Sequence, residues 1–342
     1  MKAVVINKHG AEDVLELADM PEPEIAANEV LVRVRACALN YLDIWVRKGI
    51  RGLELAMPHI LGCDVAGVVE RVGELVKNTK PGDEIVLSPG LSCMHCEYCL
   101  SGRDNLCARY SVLGALANGG YAEFAKAPSV NAIAKPANLS FAEAASVPLV
   151  FLTAWHMLGE RVKLKAGETL LVHAAGSGVG SAAIQIGKLL GARVIATAST
   201  AEKLDKARGL GADETINYQE EDFLDAVRRL TNKRGVDVVF EHTGEATWDK
   251  SVRSLVRGGR LVTCGATSGF NGNLDIRYLF SRQISLVGSY MGAKAELLEV
   301  MKLVEAGKLK PVVDRVLPLE QAADAHRTLE NRAQFGKVVL TP

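Results

Sequence analysis

The sequence predicts an α/β chain with a mostly-β region over residues 1–150 and a doubly wound parallel sheet after it. Three observations carry this. Short β-rich runs broken by Gly, Pro or Asn fill the first region, and from about residue 165 apolar strands alternate with helical stretches. The 32 glycines beside only 5% aromatic residues suit a fold rich in tight turns. At 342 residues the chain exceeds one ordinary core, so two domains are expected.

In chain order, "KAVVI" (2–6), "EVLVRVRACAL" (29–39), "VAGVVERVG" (65–73) and "GDEIVL" (82–87) read as strands, the last opened by a Pro-Gly turn. The alternation then runs through "TLLVHAA", "GSAAIQIGKLLG", "ARVIATA", "AEKLDKARGLG", "ETINY", "EDFLDAVRRLT", "VDVVFEHT" and "LVTCGA". Helices between strands imply βαβ units and parallel pairing. After about residue 290 come a helix, "AKAELLEVMKLVEAG", the run "PVVDRVLPL", another helix and the closing strand "GKVVLTP".

The 40 basic and 40 acidic residues balance, which gives no pull toward nucleic acid or an anionic membrane surface. No apolar run approaches the ~20 residues of a membrane span. The start, "MKAVVINKHGAEDV", lacks the apolar core and cleavage site of a signal peptide, so a cytoplasmic protein is expected. In a reducing compartment a tight cysteine cluster reads as a metal site rather than as disulfides. "SCMHCEYCLSGRDNLC" holds Cys93, Cys96, Cys99 and Cys107, a soft four-thiolate set expected to bind one zinc in a closed structural site.

The segment 170–200 is ordered as strand, glycine-rich turn, helix and second strand. Gly176, Ser177, Gly178, Val179 and Gly180 form the turn, where small residues let the backbone approach a pyrophosphate at a helix N-terminus. An acid at the tip of the second strand would bind ribose hydroxyls, but "ATASTAEK" has Ser199, Thr200 and Lys203 instead. That set accommodates a 2′-phosphate, so NADP(H) is the expected cofactor. His242, which ends a strand, and the turn with Gly265 and Ala266 are expected to line the cofactor cleft at the strand ends.

With these motifs, and with "VPLVFLTAWHML", "CGATSG" and the terminal "GKVVL", the chain resembles the medium-chain dehydrogenase/reductase superfamily, which holds zinc alcohol dehydrogenases and quinone oxidoreductases. The resemblance implies a GroES-like catalytic domain (1–150 and 290–342) with a zinc lobe near 90–110, and a Rossmann domain (151–289). It also implies a homodimer paired through cofactor-domain edges, consistent with the apolar run "ISLVGS", and a nicotinamide contact at Thr153.

The family's catalytic-zinc ligands fall here at Asn40, Cys63 and Leu149, with Asp64 following the second. Leu149 cannot ligate a metal, so the expected chemistry is metal-free. "LNYLDIWVRKG" resembles the quinone oxidoreductases, with Asn40 and Tyr41 as expected hydrogen-bond donors to the substrate oxygen and Asp43 as their orienting partner. The expected substrate is a quinone, enal or enone. Two alternatives stay open: a zinc alcohol dehydrogenase with a rearranged site at Cys63 and Asp64, recruiting His59 or Asp43, and a non-enzymatic NADPH-binding protein. His156, Trp45 and Trp155 read as packing residues, and Cys264 as a buried strand residue.

Overall fold

Two units are distinguished in the computed structural model, which describes residues 1–50, 52 and 54–342. One unit comprises Met1–Val150 with Ala293–Pro342, and the other Phe151–Gly292. Among the described residues, no helix is long and apolar enough to cross a membrane.

The strand Glu29–Ala38 organises the first unit. Its run of Val, Leu and Ala is buried at Val30, Leu31, Val32, Ala36 and Ala38, and it pairs with three neighbours. It runs antiparallel to Asp64–Val72, Phe124–Pro128 and Lys337–Thr341. The register sets Ala38 opposite Asp64 on one side and opposite Val339 on the other. Asn40, Asp64 and Lys337 are therefore gathered at the same end of three adjacent strands, although the sequence scatters them.

The helix Tyr41–Lys48 follows directly. Asp43 closes its first turn by accepting the Asn40 backbone N–H at 2.7 Å, and Gly49 ends it at φ +93°, a left-handed conformation that glycine adopts without strain. The inner face buries Ile44 and Val46 and also, at 0% exposure, Arg47. A buried guanidinium must be paired. Arg47 donates to Nδ1 of His326 at 3.0 Å and to the Glu330 carboxylate at 3.0 Å. Because arginine only donates, the His326 proton sits on Nε2 and points at the Tyr121 oxygen, 3.1 Å away. Tyr121 in turn donates to Asp43 at 3.3 Å. Burial, with the Arg47 charge beside it, pushes His326 down to about 3, so the ring stays neutral. Asp43 also accepts the Gly62 N–H at 3.2 Å. Gly62 itself tolerates no side chain: its φ is +97°, and an added Cβ would lie 2.4 Å from the Tyr121 ring.

The second unit is a six-stranded parallel sheet in the order Glu214–Asn217, Arg193–Ala198, Thr169–Val172, Val236–Glu241, Leu255–Thr263 and Ser285–Gly288. Its inner strands read as continuous Val, Ile and Leu runs because both faces are covered. Leu171, Ile195, Ile216, Val239 and Leu261 share one apolar cluster, filled in by Val227 from the helix Phe223–Leu230. The strand sequence runs outward in both directions from the pair Thr169–Val172 and Val236–Glu241. That pair is the topological switch point, outside whose carboxyl ends such sheets bind ligands.

Burial, the largest influence on it, raises Asp43 to about 6, with the Asn40 N–H and the Lys337 charge opposing. Between about pH 4 and 6 the folded chain therefore keeps a proton that the unfolded chain has released, and Asp43 costs stability as pH rises through that window. Two pKa units correspond to about 3 kcal/mol. Denaturant unfolding of Asp43→Asn against the parent should show the variant gaining about that much in relative stability between pH 4 and 7. A pH-independent difference would mean that Asp43 titrates as an ordinary carboxylate.

Candidate functional site

Cys93, Cys96, Cys99 and Cys107 converge: their sulfurs lie within 4.8 Å of one another, with Cys93–Cys99 at 3.8 Å and Cys96–Cys99 at 3.5 Å. Tetrahedral zinc with Zn–S bonds of about 2.3 Å requires sulfurs about 3.8 Å apart, so the set fits that ion. The turn that brings Cys93 and Cys96 together carries Met94 in the left-handed region at φ +63°. Backbone N–H groups of His95 and Cys96 pull the Cys93 thiol down to about 5, toward the thiolate that a metal needs. The lobe exposes Leu100 and Leu106 and has little core of its own. It is tied into the unit where Asp104 accepts the Lys294 backbone N–H at 3.0 Å.

The second cluster surrounds Asn40. The Lys337 ammonium, 3% exposed, donates to Asn40 Oδ1 at 2.6 Å and to Asp64 Oδ2 at 2.9 Å. Asn40 Nδ2 donates to the same Asp64 oxygen at 2.8 Å and faces Cys63 Sγ at 3.2 Å. The other Asp64 oxygen accepts the Leu149 N–H at 2.9 Å, in the first turn of the helix Pro148–Trp155. Asn40, expected to donate to a substrate, thus has both ends of its amide engaged inside the protein. Tyr41 is different. It is half-buried against the edge of Trp45, and its hydroxyl has no hydrogen-bond partner among the described residues. Asp43 orients the backbone of Asn40 and not its side chain.

The residues that a rearranged zinc site would use are otherwise occupied. Burial, then the Asp64 and Asp43 carboxylates, push the Cys63 thiol well up, away from the thiolate form. His59 Nε2 pairs with the Gly114 carbonyl at 3.0 Å. Among the described residues, the four-cysteine lobe is the one group of Cys, His, Asp and Glu donors close enough to hold an ion.

In the second unit the strand Thr169–Val172 leads through the turn to the helix Gly178–Leu189. Ser177 caps that helix, its hydroxyl accepting the Gly180 N–H at 2.9 Å. A Cβ on Gly180 would stand 2.5 Å from the Ala174 carbonyl, so only glycine allows this close return of helix onto strand. Gly176 and Ser177 precede the first turn and Gly178 and Val179 open it, and a helix N-terminus of this kind favours an anion. Thr153 is 5% exposed, and its hydroxyl is buried with no partner among the described residues, as is the hydroxyl of Ser289. Both fit a polar ligand group that completes them.

Thr200 and His242 differ from expectation. Thr200 is the N-cap of the helix Ala201–Gly209 and accepts the backbone N–H of Lys203 at 3.3 Å, so its hydroxyl serves the fold first. Ser199 is half-buried just past the strand Arg193–Ala198. The His242 ring turns inward, where its Nε2 donates to the His173 carbonyl at 2.9 Å. Gly265 lies against that backbone: a Cβ there would sit 3.0 Å from the His242 carbonyl. Ala266 follows in the same half-buried turn, and Cys264 lies half-buried just beyond the strand Leu255–Thr263 rather than within it. The sequence reading missed Lys337 and Ser289. Lys337 had a signal, a charged residue opening an otherwise apolar closing strand, whereas Ser289 had none.

Two family models match the chain: "Alcohol dehydrogenase GroES-like domain" over residues 26–137 and "Zinc-binding dehydrogenase" over residues 178–306. A quinone oxidoreductase of Sus scrofa is 31% identical, covering 99% of this chain and 97% of its own. A crystal structure of an NAD-dependent alcohol dehydrogenase superposes with a TM-score of 0.97 at 52% identity, over 100% of both chains. A cobalt- and zinc-bound thermostable alcohol dehydrogenase from Pyrobaculum aerophilum superposes at 0.91 with 35% identity, over 100% of this chain and 99% of that one. With its GroES-like sheet, its Rossmann sheet and these matches along its length, the chain belongs to the medium-chain dehydrogenase/reductase superfamily of oxidoreductases.

Proposed function

We propose that the chain is an NADP(H)-dependent oxidoreductase of quinone-reductase type, transferring a hydride to a quinone or to the activated C=C bond of an enal or enone without a catalytic metal. The observation that carries this reading is the Lys337 ammonium between Asn40 and Asp64. A buried cation already neutralises Asp64, and a second cation placed there would meet repulsion and would need ligands that Asn40 and Leu149 do not supply. Bound NADPH supplies the hydride. The turn Gly176–Gly180 and its helix N-terminus would hold the pyrophosphate, and the Thr153 hydroxyl, without a partner among the described residues, would be offered to the nicotinamide half. When an enone or quinone accepts a hydride, negative charge collects on its oxygen. The Tyr41 hydroxyl, without a hydrogen-bond partner among the described residues, donates to that oxygen, while Lys337, Asp64 and Asn40 hold one another in a fixed polar cluster.

A second reading, an alcohol dehydrogenase using NAD, is favoured by the 52% identity to the structure bearing that name. Turnover with a panel of quinones, enones and alcohols separates the two. Under the first reading, Tyr41→Phe should slow hydride transfer in single-turnover experiments about 100-fold while NADPH binding stays the same. Unchanged rates with a good quinone or enone would remove Tyr41 from the reaction, and turnover of alcohols alone would replace the reading.

The cofactor preference is proposed to lie at Ser199, with Thr200 at the N-cap and Lys203 on the first turn of the next helix. A charge-assisted contact to the 2′-phosphate would favour NADPH over NADH by ~10- to 100-fold in affinity. Ser199→Asp should invert that preference by like-charge repulsion. Equal dissociation constants for the two cofactors in the parent would count against NADP(H).

Zinc held by Cys93, Cys96, Cys99 and Cys107 would fill a closed site and act only on folding. A homodimer is proposed through the strand Ser285–Gly288, which among the described residues pairs on one side only, in a unit that also exposes Phe270, Ile276 and Phe280. Native mass spectrometry tests both together. The expected mass is that of two chains with one zinc each. Two zincs per chain, with activity lost when the more labile one leaves, would instead support the rearranged alcohol dehydrogenase site.

A further inference from the structure

We propose that Glu241 is a positioning residue for the nicotinamide half of the cofactor, acting by holding the turns 242–247 and 265–269 in the shape that receives it. This rests on the second unit's reading as the dinucleotide-binding one. Glu241 ends the fourth strand of the sheet's chain order, Val236–Glu241, at the switch point, with 0% of it exposed.

A carboxylate so placed must have its lone pairs satisfied, and all of its partners lie beyond the strand. One oxygen accepts the backbone N–H groups of Thr243 at 2.6 Å and Gly244 at 3.2 Å. The other accepts the hydroxyls of Thr247 and Ser251, both at 2.8 Å. Burial disfavours its charge, and the two N–H groups and two hydroxyls that converge on it favour the charged form. Glu241 is therefore an anion whose bonds are charge-assisted.

The bonds continue in two directions. Ser251 meets His173 Nε2 at 2.9 Å, the other ring nitrogen of His173 meets the Thr197 hydroxyl at 3.3 Å, and Thr197 accepts the N–H of Ala174 at 3.2 Å. In this direction the chain of bonds reaches the glycine-rich turn from below. In the other, the Thr243 carbonyl accepts both the N–H and the hydroxyl of Ser268 at 2.8 Å, and that hydroxyl accepts the Ala246 N–H at 3.0 Å. The turn 265–269 is thereby tied to the turn 242–247. In a doubly wound sheet the first three strands hold the adenosine mononucleotide and the next three the second one. Glu241 shapes the loops of that second half.

Glu241→Gln keeps the shape and removes the charge. Calorimetric titration should then show NADPH and NADH binding weakened by the same factor, about 10- to 100-fold, the worth of charge-assisted bonds. 2′,5′-ADP and 5′-AMP, which carry only the adenosine half, should bind as they do to the parent. A loss shared by these fragments, or unchanged dinucleotide affinity beside a lowered Tm, would make Glu241 a fold residue only and overturn the proposal. Thr247→Val, which deletes one donor to the same carboxylate, should give the same pattern more weakly and serves if the first variant does not fold. No substrate enters the measurement, so it stands apart from the quinone reading. A parent that binds neither dinucleotide would overturn the cofactor reading and this one together, whereas a parent that binds them beside unaffected variants overturns this one alone.

Discussion

A lysine ammonium enclosed with a carboxylate sets the terms for the first unit. Lys337 is 3% exposed and Asp64 is fully buried, so neither charge has water to fall back on. Such a pair is costly to enclose, and removing one partner alone typically costs about 3–5 kcal/mol. Each atom of the pair therefore has to be matched, and matching it fixes other parts of the unit. Lys337 decides which end of the Asn40 amide faces it, because only the carbonyl end can accept. Asp64 uses its second oxygen on the N–H of Leu149 and so anchors the start of the helix Pro148–Trp155. The closing strand Lys337–Thr341 cannot slip in register without dragging a charge out of its partner's reach.

The same logic recurs in two further buried networks. In the first unit Arg47, which can only donate, fixes the tautomer of His326 and through it the direction of the bonds to Tyr121 and Asp43. In the second, Glu241, which can only accept, orders the N–H and hydroxyl donors of the loop that follows it. A group with a single hydrogen-bonding sense at one end of a chain leaves its neighbours no choice. This is how polar interiors hold loops of Gly, Ser and Thr that have little apolar surface with which to hold themselves.

What could be read from the sequence was what is local. The Val- and Ile-rich strands, the turn Gly176–Gly180 and the four cysteines of residues 93–107 each lie within a short window, and their physics acts within that window. The role of Asn40 was not legible. Its decisive partner, Lys337, is 297 residues away, and only the pairing of Ala38 with Asp64 and with Val339 brings them together. Thr200 was read for its hydroxyl and its place at a strand tip, but the competing demand of a helix N-terminus takes that hydroxyl first. His242 was placed on the right strand end, but the choice of ring direction belongs to a carbonyl 69 residues upstream. Residue type and spacing say what a side chain can do, and burial with long-range register decides whether it is free to do it.

Cysteine shows how far surroundings alone can separate like residues. Cys93 sits in a half-exposed turn whose backbone N–H groups draw its sulfur toward the thiolate, the form that binds zinc. Cys63, fully buried beside two carboxylates, is pushed the other way and stays a neutral thiol. A zinc brought to Cys63 would have to strip that proton, displace the Lys337 ammonium from Asp64 and then find further donors where Asn40 and Leu149 stand. In the lobe a metal would likewise have to strip protons, Cys96 being pushed up to about 11, but its four sulfurs already lie within 4.8 Å of one another. The gathering of four like donors, rather than the field on any one sulfur, favours the lobe over Cys63, and a zinc bound by four thiolates would leave no open position for a substrate.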